Sequence, residues 1–290
     1  MTSGLSDHAL DSAPIHLAEG LFSGRTILVT GAGSGIGKAA AWLLAKLNAQ
    51  IVTCGRSAEK LTALETAFSE RDWPLLAVQA DIRDQGAVEQ LMDKANKRFG
   101  GIDCLVNNAG GQFAQRALDF TANGWRAVID NNLTGPWFVM QSAARNWIRQ
   151  SKPGVIVNIT ASNSRGMPGI AHSSSARAGI ENLTRTLAIE WAEYRIRTNC
   201  LALGLIETAG LDVYPEAARN LFPDANPMRT LGSPWHVAHM IALMASDMSA
   251  FMTGQTVTLD GGASCWGDLW TIDRPDYFES TSANGSDPDD

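Results

Sequence analysis

The sequence predicts an α/β protein, a doubly wound parallel sheet in a three-layer αβα sandwich forming a single domain. Three observations carry this. Short β-branched, largely apolar runs alternate with longer amphipathic segments along most of the chain. The runs lack the alternating polar residues of a half-exposed strand, so they read as strands buried on both faces. The first run leads straight into a cluster of glycines and then a helical pattern. Strand–helix alternation of this kind implies right-handed crossovers with helices on both faces. Ligands then sit beyond the carboxyl ends of the strands.

Taken in order, strands are expected at 26–30, 50–54, 75–80, 103–107, 155–160 and 256–259, and helices at 36–47, 59–70, 87–99, 125–149 and 176–192. The domain spans 23–265, with a flexible arm at 1–22 and a polar tail at 266–290. Within the domain, 205–228 mixes Leu, Tyr, Phe and Pro with few charges and reads as a lid over the substrate. Trp266 and Trp270 in the tail are candidates for docking on a neighbouring subunit.

Composition narrows the function. A chain of 290 residues that is 45% hydrophobic can bury a large core. The net charge of -7, with no basic stripe, argues against nucleic acid as a partner. No stretch approaches the ~18 apolar residues of a membrane span. The first 22 residues lack the basic start and apolar run of a secretory signal, so a cytoplasmic location is expected. Cys54, Cys104, Cys200 and Cys265 show neither CxxC nor Cys/His metal spacing. Buried reduced thiols and no metal follow.

The first strand runs into Gly31-Ala32-Gly33-Ser34-Gly35-Ile36-Gly37 and then a helix. Glycines permit a tight turn and close backbone approach. The helix N-terminus offers free N–H groups and a positive dipole to a pyrophosphate. This makes the sheet Rossmann-type and the ligand a dinucleotide. An NAD enzyme places an acidic residue at the end of the second strand to bind the adenosine ribose. Here the run is Cys54-Gly55-Arg56-Ser57. Arg56, helped by Ser57, suits a 2′-phosphate through charge-assisted bonds, so NADP(H) is the preferred cofactor and NAD(H) the alternative. Asp81-Ile82 suits the adenine edge, and Asn108-Ala109-Gly110 a turn passing close to the cofactor.

These motifs, with Arg229, Gly232, Pro234, Thr253-Gly254-Gln255 and Asp260-Gly261-Gly262, resemble the short-chain dehydrogenase/reductase family over nearly the whole chain. In that family a serine, a tyrosine thirteen residues later, a lysine four beyond that and an asparagine from the preceding helix do the chemistry. The resemblance places the asparagine at Asn132 and the serine at Thr160. The other two positions depart: the tyrosine becomes Ser173 and the lysine becomes Arg177. Gly204, Ile206 and Thr208, with Arg177, are the implied contacts on the nicotinamide side. The family also implies a homotetramer paired through the helices at 125–149 and 176–192.

The runs Gly110-Gly111-Gln112-Phe113, His172-Ser173 and Ala176-Arg177-Ala178-Gly179 resemble peroxisomal-type trans-2-enoyl-CoA reductases and related dienoyl-CoA reductases. Bacterial proteins of acyclic terpene breakdown, citronellol or citronellal dehydrogenases, look as close, particularly over the lid residues Gly210 to Pro215.

A serine hydroxyl is a poor acid–base, and Arg177 stays charged, so it cannot relay a proton as lysine does. Reduction of an alkene conjugated to a thioester makes a lighter demand: fixed donors near the carbonyl oxygen, which Ser173 and Thr160 can supply. The sequence therefore predicts NADPH-dependent reduction of an enoyl-CoA, or a terpenoyl or dienoyl counterpart. One rival is an acyclic-terpenoid alcohol or aldehyde dehydrogenase using Tyr214 or His172 in place of the lost tyrosine. Another is a catalytically silent dinucleotide-binding protein. Arg116 and Arg165 are the candidates for a CoA phosphate.

Overall fold

The structure, a computed structural model, describes residues 5–265. Its elements run α1 (Asp7–Ser12), β1 (Thr26–Thr30), α2 (Gly35–Lys46), β2 (Gln50–Gly55), α3 (Ala58–Ser69), β3 (Leu75–Gln79), α4 (Gln85–Phe99) and β4 (Cys104–Asn107). They continue through α5 (Ala122–Ile129), α6 (Gly135–Gln150), β5 (Gly154–Ala161), α7 (Ala171–Glu190), β6 (Ile196–Leu203), α8 (Glu216–Arg219), α9 (Pro234–Ala245) and β7 (Thr256–Leu259). The strands form one parallel sheet in the order β3-β2-β1-β4-β5-β6-β7. Chain order reverses between β1 and β4, which opens a crevice at their carboxyl ends.

Period-two alternation sorts each strand between two cores. Ile27 and Val29 face a layer built from α2, α3 and α9, whereas Leu28 faces one built from α4, α6 and α7. The expected doubly wound, three-layer domain is the one observed. Among the described residues no helix is long and apolar enough to cross a membrane.

Several expectations need correction. The strand at Ile196–Leu203 was not outlined by an apolar run because it carries Arg197, Thr198 and Asn199 in its interior. Asn199 is buried yet satisfied, bonding to the Met252 carbonyl and the Gln255 amide. Helix α9 escaped notice because it is apolar on almost every side, as a helix buried against α2 must be. Helix α7 begins at Ala171, so Ser173 lies within its first turn.

The single helix expected over 125–149 is interrupted by a π-helical turn at Asp130–Thr134. Pro136 has no N–H to offer the Asn132 carbonyl, and the Gly135 amide reaches back five residues to Asp130 rather than four to Asn131. Such turns re-aim side chains, and this one carries Asn132.

The N-terminal arm is not free over its described part. Leu10 is buried, Asp11 accepts from Trp42 and Arg71, and the Pro14 carbonyl accepts from Trp235 Nε1. Apolar burial and these bonds dock it across α2 and α9. Cys54, Cys104 and Cys200 are buried free thiols pushed up to about 12 by burial, but Cys265 is exposed. The expected tail at 266–290, with Trp266 and Trp270, lies outside the described residues.

Candidate active site

Backbone builds the first half of the site. The loop from Gly31 to Gly37 crosses the carboxyl end of β1, and a side chain on Gly37 would collide with the Gly31 carbonyl. Gly31 itself needs φ +75°, a conformation glycine adopts freely. Ser34 caps α2 without a side-chain hydrogen bond, which leaves the helix's first N–H groups open to an anion. The Thr30 hydroxyl accepts from the amides of Asn108 and Ala109 at 3.0 and 2.9 Å, tying the turn after β4 to that after β1.

These turns border a cavity of about 420 Å³ that includes Gly31, Gly33, Ser34, Gly35, Ile36, Gly37, Arg56, Ser57, Asp81, Ile82, Asn108, Ala109, Gly110 and Thr208. The shape and the open helix end fit a dinucleotide. Arg56 is exposed at the rim. Ser57 is engaged as the cap of α3, accepting from the Lys60 amide. Lys60, which the sequence reading missed, lines the same rim with its Cβ against Gly33. Its signal was a second basic residue one helical turn beyond Arg56. Asp81 is held by Arg83 in a two-point ion pair, and that guanidinium keeps its carboxyl below the usual range.

Side chains build the second half. A cavity of about 610 Å³ opens beside the first, walled by Ile159, Thr160, Gly204, Leu205, Ile206 and the lid. The segment 205–228, expected to be a lid, is pinned at its ends by a bridge between Ile206 and Gly232 and by Asn226, whose Nδ2 donates to the Thr230 carbonyl at 2.8 Å. Tyr214 lines the cavity, its ring edge-on to Phe222. Arg177 lies beneath Gly110, where a Cβ would come within 2.7 Å of the guanidinium. It donates to the Ile159 carbonyl at 2.6 Å. Burial lowers its pKa to about 10, which leaves it charged at neutral pH.

Three of the four family positions gather, with Asn132 Oδ1 and the Arg177 guanidinium both lying against Gly110. Asn132 and Ser173 meet, with Asn132 Nδ2 donating to Ser173 Oγ at 3.3 Å. Thr160 borders the cavity but turns its hydroxyl to Glu181 at 3.4 Å. Burial raises the Glu181 pKa. Ser173 is 1% exposed and does not line the cavity. Gln112 covers it, accepting the Ser173 hydroxyl proton on Oε1 at 2.6 Å. Gln112 lies 3.4 Å from the Tyr214 hydroxyl through Nε2. The sequence named Gln112 only within a family-like run. No spacing rule connects residues 112, 173 and 214.

His172 does not point into the cavity. Its fully buried ring packs edge-on to Phe113 at 4.7 Å and tilted against Phe120 at 4.4 Å between centroids. Nδ1 accepts from the Ser173 amide at 2.7 Å. Burial pushes its pKa down, so the ring is neutral at physiological pH. Of the two arginines considered for a CoA phosphate, Arg165 lines the cavity and Arg116 does not.

A glycine-lined helix end beside a largely apolar cavity is the arrangement by which an oxidoreductase brings a nicotinamide cofactor to its substrate. The comparisons with known proteins agree. A family model described as enoyl-(acyl carrier protein) reductase matches residues 31–264, and the chain belongs to the short-chain dehydrogenase/reductase family. A Bacillus subtilis (strain 168) protein called "Probable 2,4-dienoyl-CoA reductase [(2E)-enoyl-CoA-producing]" is 38% identical over 82% of this chain and 96% of its own length. A citronellol catabolism dehydrogenase from Pseudomonas aeruginosa PAO1 superposes with a TM-score of 0.76 at 37% identity, covering 86% of this chain and 98% of that one. A gluconate 5-dehydrogenase from Burkholderia cenocepacia J2315, solved with NADP and tartrate, gives a TM-score of 0.80 at 32% identity over 85% and 97% of the two chains.

Proposed function

We propose that this protein reduces the carbon–carbon double bond of a trans-2-enoyl-CoA, or of a terpenoyl or dienoyl counterpart, with NADPH. One observation carries the reading: at the head of α7 a serine sealed beneath Gln112 stands where the family has its proton-exchanging tyrosine. Interconverting an alcohol and a ketone requires a group that exchanges a proton with the substrate oxygen. Ser173 is too weak an acid, Arg177 stays charged and His172 is turned into an aromatic cluster. Alkene reduction needs less. When bound, the reduced nicotinamide supplies a hydride to the β-carbon. The alkene pair then shifts toward the thioester, whose carbonyl oxygen takes the negative charge, and water protonates the α-carbon.

The chain's own task is to hold the two partners in line, exclude bulk water and keep donors at that oxygen. One such donor is worth ~3 kcal/mol. Arg56 and Lys60 are the groups for a 2′-phosphate, with no carboxylate at the end of β2 to favour NADH. Leu205, Leu211, Met167 and Ile170 give the acyl chain an apolar wall, and Arg165 stands for the CoA phosphates. A homotetramer paired through α6 and α7 belongs to the same reading, and light scattering at the mass of four chains would support it.

A second reading follows from Tyr214, a phenol lining the cavity. It would serve as the acid–base of a terpenoid alcohol dehydrogenase. The two are separated by following NADPH absorbance with a medium-chain trans-2-enoyl-CoA beside NADP⁺ with citronellol. Loss of NADPH with saturated acyl-CoA formed supports the first reading. Turnover of the alcohol alone replaces it with the second. Tight NADPH binding without turnover of either substrate would leave a silent dinucleotide-binding protein.

A further inference from the structure

The hydrogen-bond polarity at the head of α7 is fixed from the backbone outward, and it reassigns the roles of the residues there. The Gly111 amide donates to Asn132 Oδ1 at 3.0 Å, and Asn132 Nδ2 donates to the Gly111 carbonyl at 3.0 Å. This two-point pairing with backbone sets which end of the Asn132 carboxamide is which, and its second Nδ2 hydrogen goes to Ser173 Oγ. Ser173 accepts there and has a single proton to give, so Gln112 presents its carbonyl oxygen to Ser173 and its NH2 to the far side. One Nε2 hydrogen reaches the Tyr214 hydroxyl and the second has no partner among the described residues. The Tyr214 oxygen accepts in that bond, and its own proton has no acceptor among the described residues. Gln112 and Tyr214 both line the cavity; Asn132 and Ser173 do not.

We infer that Gln112 Nε2 and the Tyr214 hydroxyl are the paired donors for the substrate's carbonyl oxygen, and that Ser173 and Asn132 are positioning residues that orient the Gln112 carboxamide. This rests on the proposed enoyl reduction and deepens it. Two unengaged donors 3.4 Å apart on one wall can both reach an oxygen lying between them, the arrangement that stabilises an enolate. Neither has to lose its proton. Tyr214 belongs to the segment over the cavity, so the pair is complete only with that segment in place.

The test uses the full chain with NADPH and a trans-2-enoyl-CoA on which the wild type turns over. Gln112→Glu keeps an acceptor for Ser173 and removes the N–H donor. It should lower kcat about a hundredfold at pH 8, with activity returning as pH falls and the introduced carboxyl takes up a proton. Gln112→Ala should lower kcat similarly without that pH response. Ser173→Ala should lower kcat about tenfold in the wild type and change nothing further in the Gln112→Ala background, because Ser173 acts through Gln112. NADPH affinity, read by fluorescence, should stay the same throughout and shows that each variant is folded.

Wild-type kcat in Gln112→Glu would overturn the assignment, as would Ser173→Ala and Gln112→Ala effects that multiply. Failure of the wild type to reduce any enoyl thioester would instead overturn the enoyl reading, and the assignment with it.

Discussion

The glycine-lined cradle and the larger cavity beside it lie at the carboxyl edge of one sheet, yet they are made of different material. The cradle consists of backbone: glycines at 31, 33, 35 and 37, open N–H groups at the start of α2, and turns tied by the Thr30 hydroxyl. The cavity is walled largely by side chains, and two of them, Gln112 and Tyr214, are joined to Ser173 and Asn132 behind the wall in one chain of hydrogen bonds. Backbone recognition depends on the absence of a Cβ and tolerates little change. A side-chain network can be rewired residue by residue while the cofactor stays in place. The departures from the family's catalytic pattern fall entirely in the second half.

The sharpest way to test that division is to damage the cradle alone. Gly37→Val would force its side chain into the Gly31 carbonyl. Overpacking of this kind typically costs ~1–3 kcal/mol, so NADPH affinity should fall by roughly ten- to a hundredfold in a fluorescence titration. An unchanged Kd would mean that the glycine loop does not hold the cofactor.

A smaller effect is expected at the rim of the cradle, where side chains choose between cofactors. Arg56→Ala and Lys60→Ala should each weaken NADPH by about tenfold, the value of one charge-assisted hydrogen bond of ~1.5 kcal/mol. NADH should be affected by less than about twofold. Equal losses for both cofactors would show that these cations do not read the 2′-phosphate.

His172→Phe addresses the other half. The native ring is packed rather than poised for chemistry, so kcat at pH 7.5 should stay within about threefold of wild type. Its pH signature has a defined sign. Burial holds the folded pKa of His172 below its unfolded value near 6.5, so the unfolded chain binds the proton more readily. Its contribution is intact above pH ~6.5 and is lost as pH falls toward the folded value. Thermal melts between pH 8 and 5 should therefore show a smaller acid-side loss in His172→Phe than in wild type. Loss of turnover on this substitution would restore His172 as a proton donor.

The least perturbing check uses the cysteines. Cys54, Cys104 and Cys200 are buried, with thiols at about 12, so a thiol reagent should modify Cys265 rapidly and these three only on unfolding.

The fold and the glycine loop were legible because each depends on local signals: apolar runs for strands and glycine spacing for the turn. Legibility failed where local and tertiary demands part. Strand β6 hides polar residues that only distant partners satisfy, as Asn199 does with Met252 and Gln255. The stretch 125–149 read as one helix, because the π turn at Asp130–Thr134 shows only in the Gly135 amide reaching back to Asp130. Ser173 was recognised as the site of change, yet its concealment beneath Gln112 depends on a contact spanning 61 positions. Tyr214 stood out as a lid phenol; the partner that orients it did not.

The most direct measurement of the central claim is where the hydride lands. NADPH carrying deuterium at the transferred position would be incubated with a trans-2-enoyl-CoA in ordinary water, and the product analysed by mass spectrometry. The account predicts saturated acyl-CoA with one deuterium at the β-carbon and a solvent hydrogen at the α-carbon. Deuterium on a carbinol carbon, obtained with an aldehyde or ketone while the alkene is left intact, would contradict it and make this a carbonyl-reducing enzyme.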